Sequence, residues 1–136
     1  MINSRLSWWL KFNQLLPSSQ YGFRRNRSCL DNLSNLYSDI ILSSSKGFSV
    51  AALFLDIWAA YDNVLSDILA SKMISIGISG KTLSFIMNLV AFRRVHFRYD
   101  EIDEIRNVFK GLPQGSVLSP LLYIIYTMDL QKQLIV

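Results

Sequence analysis

The feature that most constrains the fold is a short apolar run, Val50 to Leu55, which ends at a single carboxylate, Asp56. A short run that is apolar on both faces is typical of a buried strand. An acidic residue at the end of such a strand has its stem in the core and its carboxylate at the surface, where a catalytic or metal-binding group is held rigidly. An aspartate that only caps the following turn fits the same pattern. The run therefore predicts a strand and leaves both roles of Asp56 open.

Composition limits the kind of site that the chain can build. Of its 136 residues 51% are hydrophobic and 18% charged, so we expect one small domain, or part of a larger one, with a sizeable core. The single cysteine, Cys29, and the single histidine, His96, exclude an internal disulfide and a Cys/His zinc site. Any divalent metal would have to be bound by carboxylates, which favours Mg²⁺-type chemistry.

Charge and hydropathy indicate the class of partner and the location. The net charge of +4, with a pI near 9.4, favours a polyanionic partner. Three arginines lie within residues 24–27 and three more within residues 93–98, whereas residues 100–104 are acidic. No apolar window reaches the roughly 20 residues that span a membrane, and the N-terminus lacks the pattern of a signal peptide. These observations predict an intracellular location.

Hydrophobic periodicity and turn residues predict the other elements. In order, we expect a helix from Leu6 to Leu16, a helix opened by a capping box of Ser28 and Asp31, the strand before Asp56, a helix capped by Asp62, a helix from about Lys81 to Phe92, a hairpin of Val95–Tyr99 with Ile105–Lys110, and a helix from Ser119-Pro120 to about Gln131. The second helix carries an apolar stripe of Leu30, Leu33, Tyr37, Ile40 and Ile41. In the helix after Asp62, the residues expected to face inward are Val64, Leu65, Ile68, Leu69, Met73 and Ile76. The predicted fold is a single α+β unit with helices packed on a small antiparallel sheet.

Three stretches, read together, resemble a known family. Residues Gln20 to Ser28, Ala52 to Val64 and Gly111 to Leu122 resemble, in this order, motifs of reverse transcriptases from non-LTR (LINE-type) retrotransposons, most of all the jockey-like elements of animals. The flanking segments are also similar to that family, so the resemblance covers roughly residues 5–130. Three motifs in the family order make a chance match a minor concern.

The resemblance implies a partial fingers–palm of a right-hand polymerase with RNA-directed DNA polymerase activity. It implies an RNA template, a DNA primer and deoxynucleotides as partners, two Mg²⁺ ions as cofactors, and residence in the nucleus. Asp56 matches the family's first metal-binding carboxylate at the end of a palm strand, and the backbone carbonyl of Ile57 would face the same metal. Asp62 is a second acid, but its position favours helix capping over metal binding.

The resemblance also implies roles for residues that contact the nucleotide. Tyr61 matches the aromatic residue that packs under the nucleotide sugar and excludes a 2′-hydroxyl, although an ordinary core tyrosine is the alternative. Gln114 and Gly115 match the loop that contacts template, primer and incoming nucleotide. A tight turn before a core helix would explain the glycine and proline residues of this loop, but not its glutamine.

The arginine cluster matches a segment that approaches phosphates in the family. Arg24, Arg25 and Arg27 match the finger segment beside the template backbone and the nucleotide phosphates, and the arginine fork suits two phosphate oxygens. A solvated run of charge is the alternative, and the sequence does not single out one arginine. For the arginines of residues 93–98 surface solvation is the preferred interpretation, and for His96 a structural role.

Two departures from the family bear on activity. The family's next motif, a Tyr/Phe-Ala-Asp-Asp-type hairpin with the second pair of carboxylates, and the thumb do not occur within residues 1–136, so we expect this chain alone not to polymerise. Trp58 stands where a small, polar or basic residue is usual. The alternative function is a non-catalytic nucleic-acid-binding or scaffold remnant.

Overall fold

The structure is a computed structural model that describes residues 1–130. Within them it has five helices and two strands: α1 (Ile2–Phe12), α2 (Cys29–Ser45), α3 (Ser66–Ser75), α4 (Gly80–Val90), β1 (Arg93–Tyr99), β2 (Ile102–Val108) and α5 (Ser119–Thr127). The chain forms two compact units. Among the described residues, the first unit combines Met1–Leu16 with residues 59–130, and the second unit is Pro17–Trp58.

Helix α1 is amphipathic and lies in the first unit. It begins at Ile2 and ends at Phe12, four residues earlier at both ends than predicted. Asn13 donates from its side chain to the carbonyl of Trp9 at 2.9 Å, and Gln14 has a φ of +54°. A left-handed residue ends a helix, so the apolar residues after Phe12 cannot continue it.

The core of the first unit is formed by one face of each of four helices. Helix α3 packs against both α4 and α5, and Lys72 of α3 donates to the Asp129 carboxylate at 2.5 Å just beyond the end of α5. The helix side chains that form this core are Leu6, Leu10, Leu69, Met73, Ile86, Val90, Leu121, Leu122 and Ile125. Ser119 and Ile124 of α5 are buried as well. The first unit therefore has a hydrophobic core built from helices.

The predicted capping of α3 by Asp62 is wrong. The helix begins at Ser66 with Leu65 in the N-cap position, and no side chain caps it. Val64 accepts a backbone hydrogen bond from Gly111 at 2.7 Å, so its carbonyl is already used outside the helix. Of the residues expected to face inward, Val64, Leu69 and Met73 are buried and Ile76 is half-buried, whereas Leu65 and Ile68 are exposed.

The predicted hairpin is confirmed, but the helices do not pack on it. Strands β1 and β2 pair antiparallel, from Arg93 opposite Val108 to Tyr99 opposite Ile102. Nearly every residue of both strands is exposed. The expectation of helices packed on a small sheet is therefore wrong for the described residues, since the helices of the first unit pack on one another.

In the second unit the predicted capping box is confirmed. The Ser28 hydroxyl accepts from the Asp31 amide at 3.2 Å, and the Asp31 carboxylate accepts from the Ser28 amide at 2.7 Å. These bonds satisfy two of the amides that a helix start leaves unpaired. Helix α2 ends at Ser45, close to Gly47 with its φ of +80°.

The apolar residues of the second unit are not buried. No residue of 17–58, all of which the structure describes, is buried, and the apolar stripe of α2 contributes nothing to a core. Val50 to Leu55 is exposed and irregular, so the prediction of a buried strand before Asp56 is wrong. A strand needs a neighbour for its backbone hydrogen bonds. The two strands within residues 1–130 pair with each other and leave this run without one.

For the last helix, the predicted start at Ser119-Pro120 is confirmed, because α5 begins at Ser119 with a proline in its first turn. Its regular part ends at Thr127. The predicted end at Gln131 lies outside the described residues.

Candidate functional site

Two segments of the first unit that are distant in the chain are joined by backbone hydrogen bonds. The amide of Leu112 donates to the carbonyl of Tyr61 at 2.9 Å, and the amide of Gly111 donates to that of Val64 at 2.7 Å. Lys110 adds a side-chain bond to Asn63 at 3.1 Å. We call the pair of segments, residues 61–64 and 110–114, the loop junction.

Gly111 lies where the two segments of the loop junction approach each other closely. Its φ of +83° lies in the region that favours glycine. A Cβ at this position would lie 3.0 Å from both the Cα and the carbonyl oxygen of Asp62, and 3.1 Å from the carbonyl oxygen of Tyr61. All three contacts are with backbone atoms, which cannot rotate away as a flexible side chain can. Glycine is therefore required here for its conformation and for its size.

Gln114 is held at one end by Asp62. Its Nε2 donates to the Asp62 carboxylate at 3.2 Å, and both side chains are exposed. Since an ionised carboxylate only accepts hydrogen bonds, the amide nitrogen must face Asp62 and the carbonyl Oε1 must face away. Gly115 follows with a φ of +81° and open space around it. Gln114 thus presents an acceptor, next to a backbone that a ligand can approach.

Tyr61 packs against the core of the first unit. Its ring meets that of Tyr123 edge-on, with 5.2 Å between centroids and 74° between planes. Burial raises the pKa of Tyr61, so its hydroxyl stays protonated at neutral pH. This packing supports the core role that the sequence left as an alternative and keeps the ring beside the loop junction.

Arg93 braces the start of the same loop. Its Nη2 donates to the carbonyls of Lys110 at 2.9 Å and Gly111 at 3.0 Å. Its Nε is buried without a hydrogen-bond partner among residues 1–130. The expectation of surface solvation is therefore wrong for Arg93, whereas Arg94 and Arg98 are exposed.

The hairpin beyond Arg93 carries side-chain ion pairs between its two strands. Asp103 accepts from Arg98 at 3.1 Å and also contacts His96. All three side chains are about half exposed or more, so the pairs are screened by solvent. The expected structural role of His96 fits this position.

In the second unit, Arg24 bonds to its own loop. Its Nη1 donates to the carbonyls of Pro17 at 2.7 Å and Gln20 at 3.3 Å. Burial, and then the nearby Arg27 charge, lower the pKa of Arg24, which still leaves it protonated near neutrality. Arg24 therefore stabilises the loop that carries it.

Arg27 also bonds to its own loop, whereas Arg25 does not. Arg27 donates to the carbonyl of Ser18 and lies over the Tyr21 ring at 5.0 Å from its centroid. Arg25 is exposed, and its side chain forms no hydrogen bond or ion pair with any residue of the described range. Two of the three predicted phosphate ligands thus brace their loop, and Arg25 points to solvent.

Asp56 and Ile57 lie in the exposed, irregular end of the second unit. The Asp56 carboxylate accepts from the amide of Ile57 at 2.9 Å, and both residues are exposed. Trp58, which departs from the family pattern, is exposed as well. The carboxylate is therefore turned back on its own backbone.

The family is decided by comparison with known proteins. A family model described as "Reverse transcriptase (RNA-dependent DNA polymerase)" matches residues 1–136. The chain belongs to the reverse transcriptase family. No solved structure matches this reverse transcriptase chain.

Curated relatives place it among transposable elements. The chain is 31% identical over 131 residues (96% of it) to a probable RNA-directed DNA polymerase from transposon BS and 32% identical over 119 residues (87% of it) to one from transposon X-element, both of Drosophila melanogaster. It is 28% identical over 134 residues (98% of it) to the RNA-directed DNA polymerase from mobile element jockey of Drosophila funebris. It spans only 13–14% of each relative. The expected resemblance to jockey-like non-LTR elements is confirmed, and the alternative of a non-catalytic nucleic-acid-binding or scaffold remnant is not favoured.

The reverse transcriptase family is one of metal-dependent polymerases, and carboxylates hold the ions in two-metal sites. Residues 1–130 contain no group of three or more His, Cys, Asp or Glu side chains that could hold an ion. Asp56 is a single exposed carboxylate, whereas a two-ion site needs several anionic ligands. The part of this reverse transcriptase that the structure describes does not by itself fit two Mg²⁺ ions.

The structure divides the predicted site residues between the two units of the reverse transcriptase chain. The first unit contains Tyr61 and Gln114, which lie in the loop junction, and Gly115, which follows it. The second unit contains Arg24, Arg25, Arg27, Asp56 and Ile57. Sequence reasoning missed Asp62 as the partner of Gln114, and Arg93 as the brace of the loop. Both contacts join residues far apart in the chain, and no local pattern signals them.

Within residues 1–130 no helix is long and apolar enough to cross a bilayer.

Proposed function

We propose that this chain is the part of a non-LTR RNA-directed DNA polymerase that positions the incoming deoxynucleotide and the template, with a fingers–palm arrangement. The loop junction is the observation that carries the proposal. Two family motifs, far apart in sequence, are joined there by backbone bonds from Gly111 and Leu112 and by the bond from Gln114 to Asp62. A surface that positions a substrate needs such rigid support.

Within this proposal Gln114 is the residue that contacts substrate most directly. Its nitrogen is engaged by Asp62, so its outward oxygen accepts a hydrogen bond from an amino or hydroxyl group of the nucleotide or template. The open space around the backbone of Gly115 lets the nucleotide or template approach closely. Tyr61 supports the nucleotide sugar from below, and its fixed edge-on contact with Tyr123 limits the space for a 2′-hydroxyl.

The second unit supplies the charged contacts in this proposal. Asp56 is one carboxylate of a Mg²⁺ site, and Ile57 offers its carbonyl oxygen, with the other ligands outside residues 1–130. Among the three arginines, the exposed Arg25 is the one that contacts template or nucleotide phosphate. Arg24 and Arg27 hold its loop through the bonds that they donate to backbone carbonyls. A nuclear location of the working polymerase belongs to the same proposal.

A chimera tests the proposal. Residues 1–136 replace the matched segment of the Drosophila funebris jockey polymerase, and incorporation of deoxynucleotides is measured on an RNA template with a DNA primer. We expect Mg²⁺-dependent incorporation that falls by more than about 100-fold in Asp56→Asn, since a metal-binding carboxylate has no substitute. Asp39→Asn, which changes an exposed acid of α2 in the same unit, is the matched control and should retain activity.

The outcomes separate the parts of the proposal. Full activity in Asp56→Asn would remove Asp56 from the metal site. For a chimera without activity, binding of the 136-residue chain to a labelled RNA–DNA primer–template gives a second measurement. We expect Arg25→Gln to weaken that binding and to reduce its salt dependence, with the ion-paired, exposed Arg106 replaced by Gln as the control.

A further inference from the structure

The outer face of helix α1 combines two aromatic rings with two cations. Its exposed residues include Arg5, Trp8, Lys11 and Phe12. Trp8 lies three positions after Arg5, three before Lys11 and four before Phe12, so the other three side chains are neighbours of Trp8 on the helix surface. Trp8 is 61% and Phe12 70% exposed. The opposite face supplies Leu6 and Leu10 to the core, so the outer rings are not needed for packing.

The two rings form a ready-made stack. The centroids of Trp8 and Phe12 are 5.0 Å apart, and their planes diverge by only 17°. The outer face of an amphipathic helix normally carries charged and small polar side chains. Two large, nearly parallel rings in solvent present instead a flat π surface to which a further ring can be added.

A cavity lies at one end of this face. It has a volume of about 610 Å³ and is lined by Arg5, Trp8 and Trp9 on one side, and by Ile78, Ser79 and Thr82 on the other. Its volume is in the range of small-molecule sites. Aromatic rings, a guanidinium and two hydroxyls suit one nucleotide, whose base, phosphate and sugar need these three kinds of contact.

Charge decides which partner the face fits. Helix α1 contains Arg5 and Lys11 and no acidic residue. The exposed stripe of α2 differs, because its side chains are mainly aliphatic and the helix carries Asp31 and Asp39. Rings alternating with cations are what a single nucleic-acid strand needs, since each base stacks on a ring and each phosphate meets a charge. An apolar protein surface would offer no negative charge to pair with Arg5 and Lys11.

We propose that the outer face of α1 is a stacking platform for single-stranded nucleic acid, with Trp8 and Phe12 under the bases and Arg5 and Lys11 on the phosphates. The proposal rests on the proposed function only for the class of partner. It assigns a surface that is separate from Asp56 and from the loop junction.

The test measures binding of the 136-residue chain to fluorescein-labelled 12-nucleotide RNA and DNA of one sequence, by anisotropy at several salt concentrations. Trp8→Ala should weaken binding by about 10-fold or more, since a base stacked on an aromatic ring contributes substantially to affinity. Trp8→Phe should retain most of it, and Trp8→Leu should not, because leucine keeps apolar area without a π face. Arg5→Gln should flatten the dependence of log Kd on log salt.

Matched controls isolate the platform. Trp58→Ala removes an even more exposed tryptophan, at 85%, from the second unit and should change the Kd less than about twofold, within the ordinary range of surface substitutions. Since Trp8 is exposed, its variants should fold as the parent does, which circular dichroism verifies. Asp39→Asn, at an exposed acid of α2, should bind like the parent. Strand binding is measured on the 136-residue chain and incorporation on the chimera, so a failed platform and a failed polymerase give different results.

The RNA and DNA arms identify the strand. Equal loss on both in Trp8→Ala supports a platform that senses only bases and phosphates; loss on RNA alone supports one that also contacts the 2′-hydroxyl. The proposal is overturned by a parent chain that binds neither strand, by Trp8→Ala and Arg5→Gln variants that bind as the parent does, or by a Trp8→Leu variant of full affinity. Self-association of the parent that Trp8→Ala abolishes, without an effect on strand binding, would also overturn it and show that a second copy covers the face.

Discussion

Both compact units of this chain are rich in apolar residues, yet only the first unit buries them. Leu69 and Ile86 of the first unit are fully buried, whereas Leu53 and Phe54 of the second are about four-fifths exposed. The first unit has four helices whose apolar faces meet, and the second has one helix and an unpaired run. An apolar pattern therefore shows what a segment is able to bury, while burial itself depends on a facing surface.

The largest expected difference between the units is the cost of removing a leucine side chain. Leu122→Ala, at a fully buried position of α5, should lower the free energy of unfolding by about 2–5 kcal/mol, because it leaves a cavity. Leu53→Ala, at a position 83% exposed, should change it by less than about 0.5 kcal/mol. Urea unfolding followed by circular dichroism measures both. Equal costs would mean that the second unit has a core of its own and would end the comparison.

A second contrast concerns two glycines with nearly the same backbone conformation. Gly111 of the first unit has a φ of +83° and a crowded Cβ position, and Gly47 of the second has a φ of +80° with nothing within 4 Å. Gly47→Ala should cost only the conformational term, about 1 kcal/mol. Gly111→Ala adds a backbone clash and should cost about 2 kcal/mol or more.

Unfolding midpoints of the two glycine variants give the comparison directly. Nuclear magnetic resonance shifts of Tyr61 and Asp62 report whether the loop junction opens in Gly111→Ala. Similar costs at the two positions would show that the loop junction yields to a methyl group and is less rigid than the proposed function requires.

An effect smaller than those of Leu122→Ala and Gly111→Ala is expected at the start of α2. Ser28→Ala removes one side of the capping box and should lower stability by about 1 kcal/mol, seen as reduced helix content. Ser34→Ala, an exposed position in the middle of the same helix, is the control and should preserve or slightly raise helix content.

The same capping box predicts a pH dependence. Hydrogen bonds from Ser28 lower the pKa of Asp31, so the folded state favours the ionised carboxylate. The stabilisation is present above the ordinary aspartate pKa of about 3.9 and is lost as the pH falls through the lowered value. In Ser28→Ala this acid-side loss of helix should shrink. An unchanged acid profile would show that Asp31 does not sense its partner.

Local rules predicted the elements whose causes are local. Ser28 with Asp31 marked the start of α2, Ser119-Pro120 marked that of α5, and the alternating strands marked the hairpin. The family followed from motif order rather than from any single residue.

The errors share a different physical origin. The strand before Asp56 failed because a strand requires a neighbour, which no property of its own residues provides. The cap at Asp62 failed because residues 61–64 bond to Gly111 and Leu112, far along the chain. The contact from Gln114 to Asp62 and the brace at Arg93 could not be predicted for the same reason: long-range contacts follow from the tertiary fold.

The exposed run of residues 50–55 has a consequence for handling the isolated chain. Val-Ala-Ala-Leu-Phe-Leu is uncharged, contains neither proline nor glycine and lies unpaired in solvent, which is the composition of segments that stack into cross-β fibrils. Asp56 follows it directly and places a negative charge at its end, where charged gatekeepers oppose such stacking. An Asp56→Asn variant made to probe catalysis therefore also removes a barrier to aggregation, and its solubility should be measured alongside its activity.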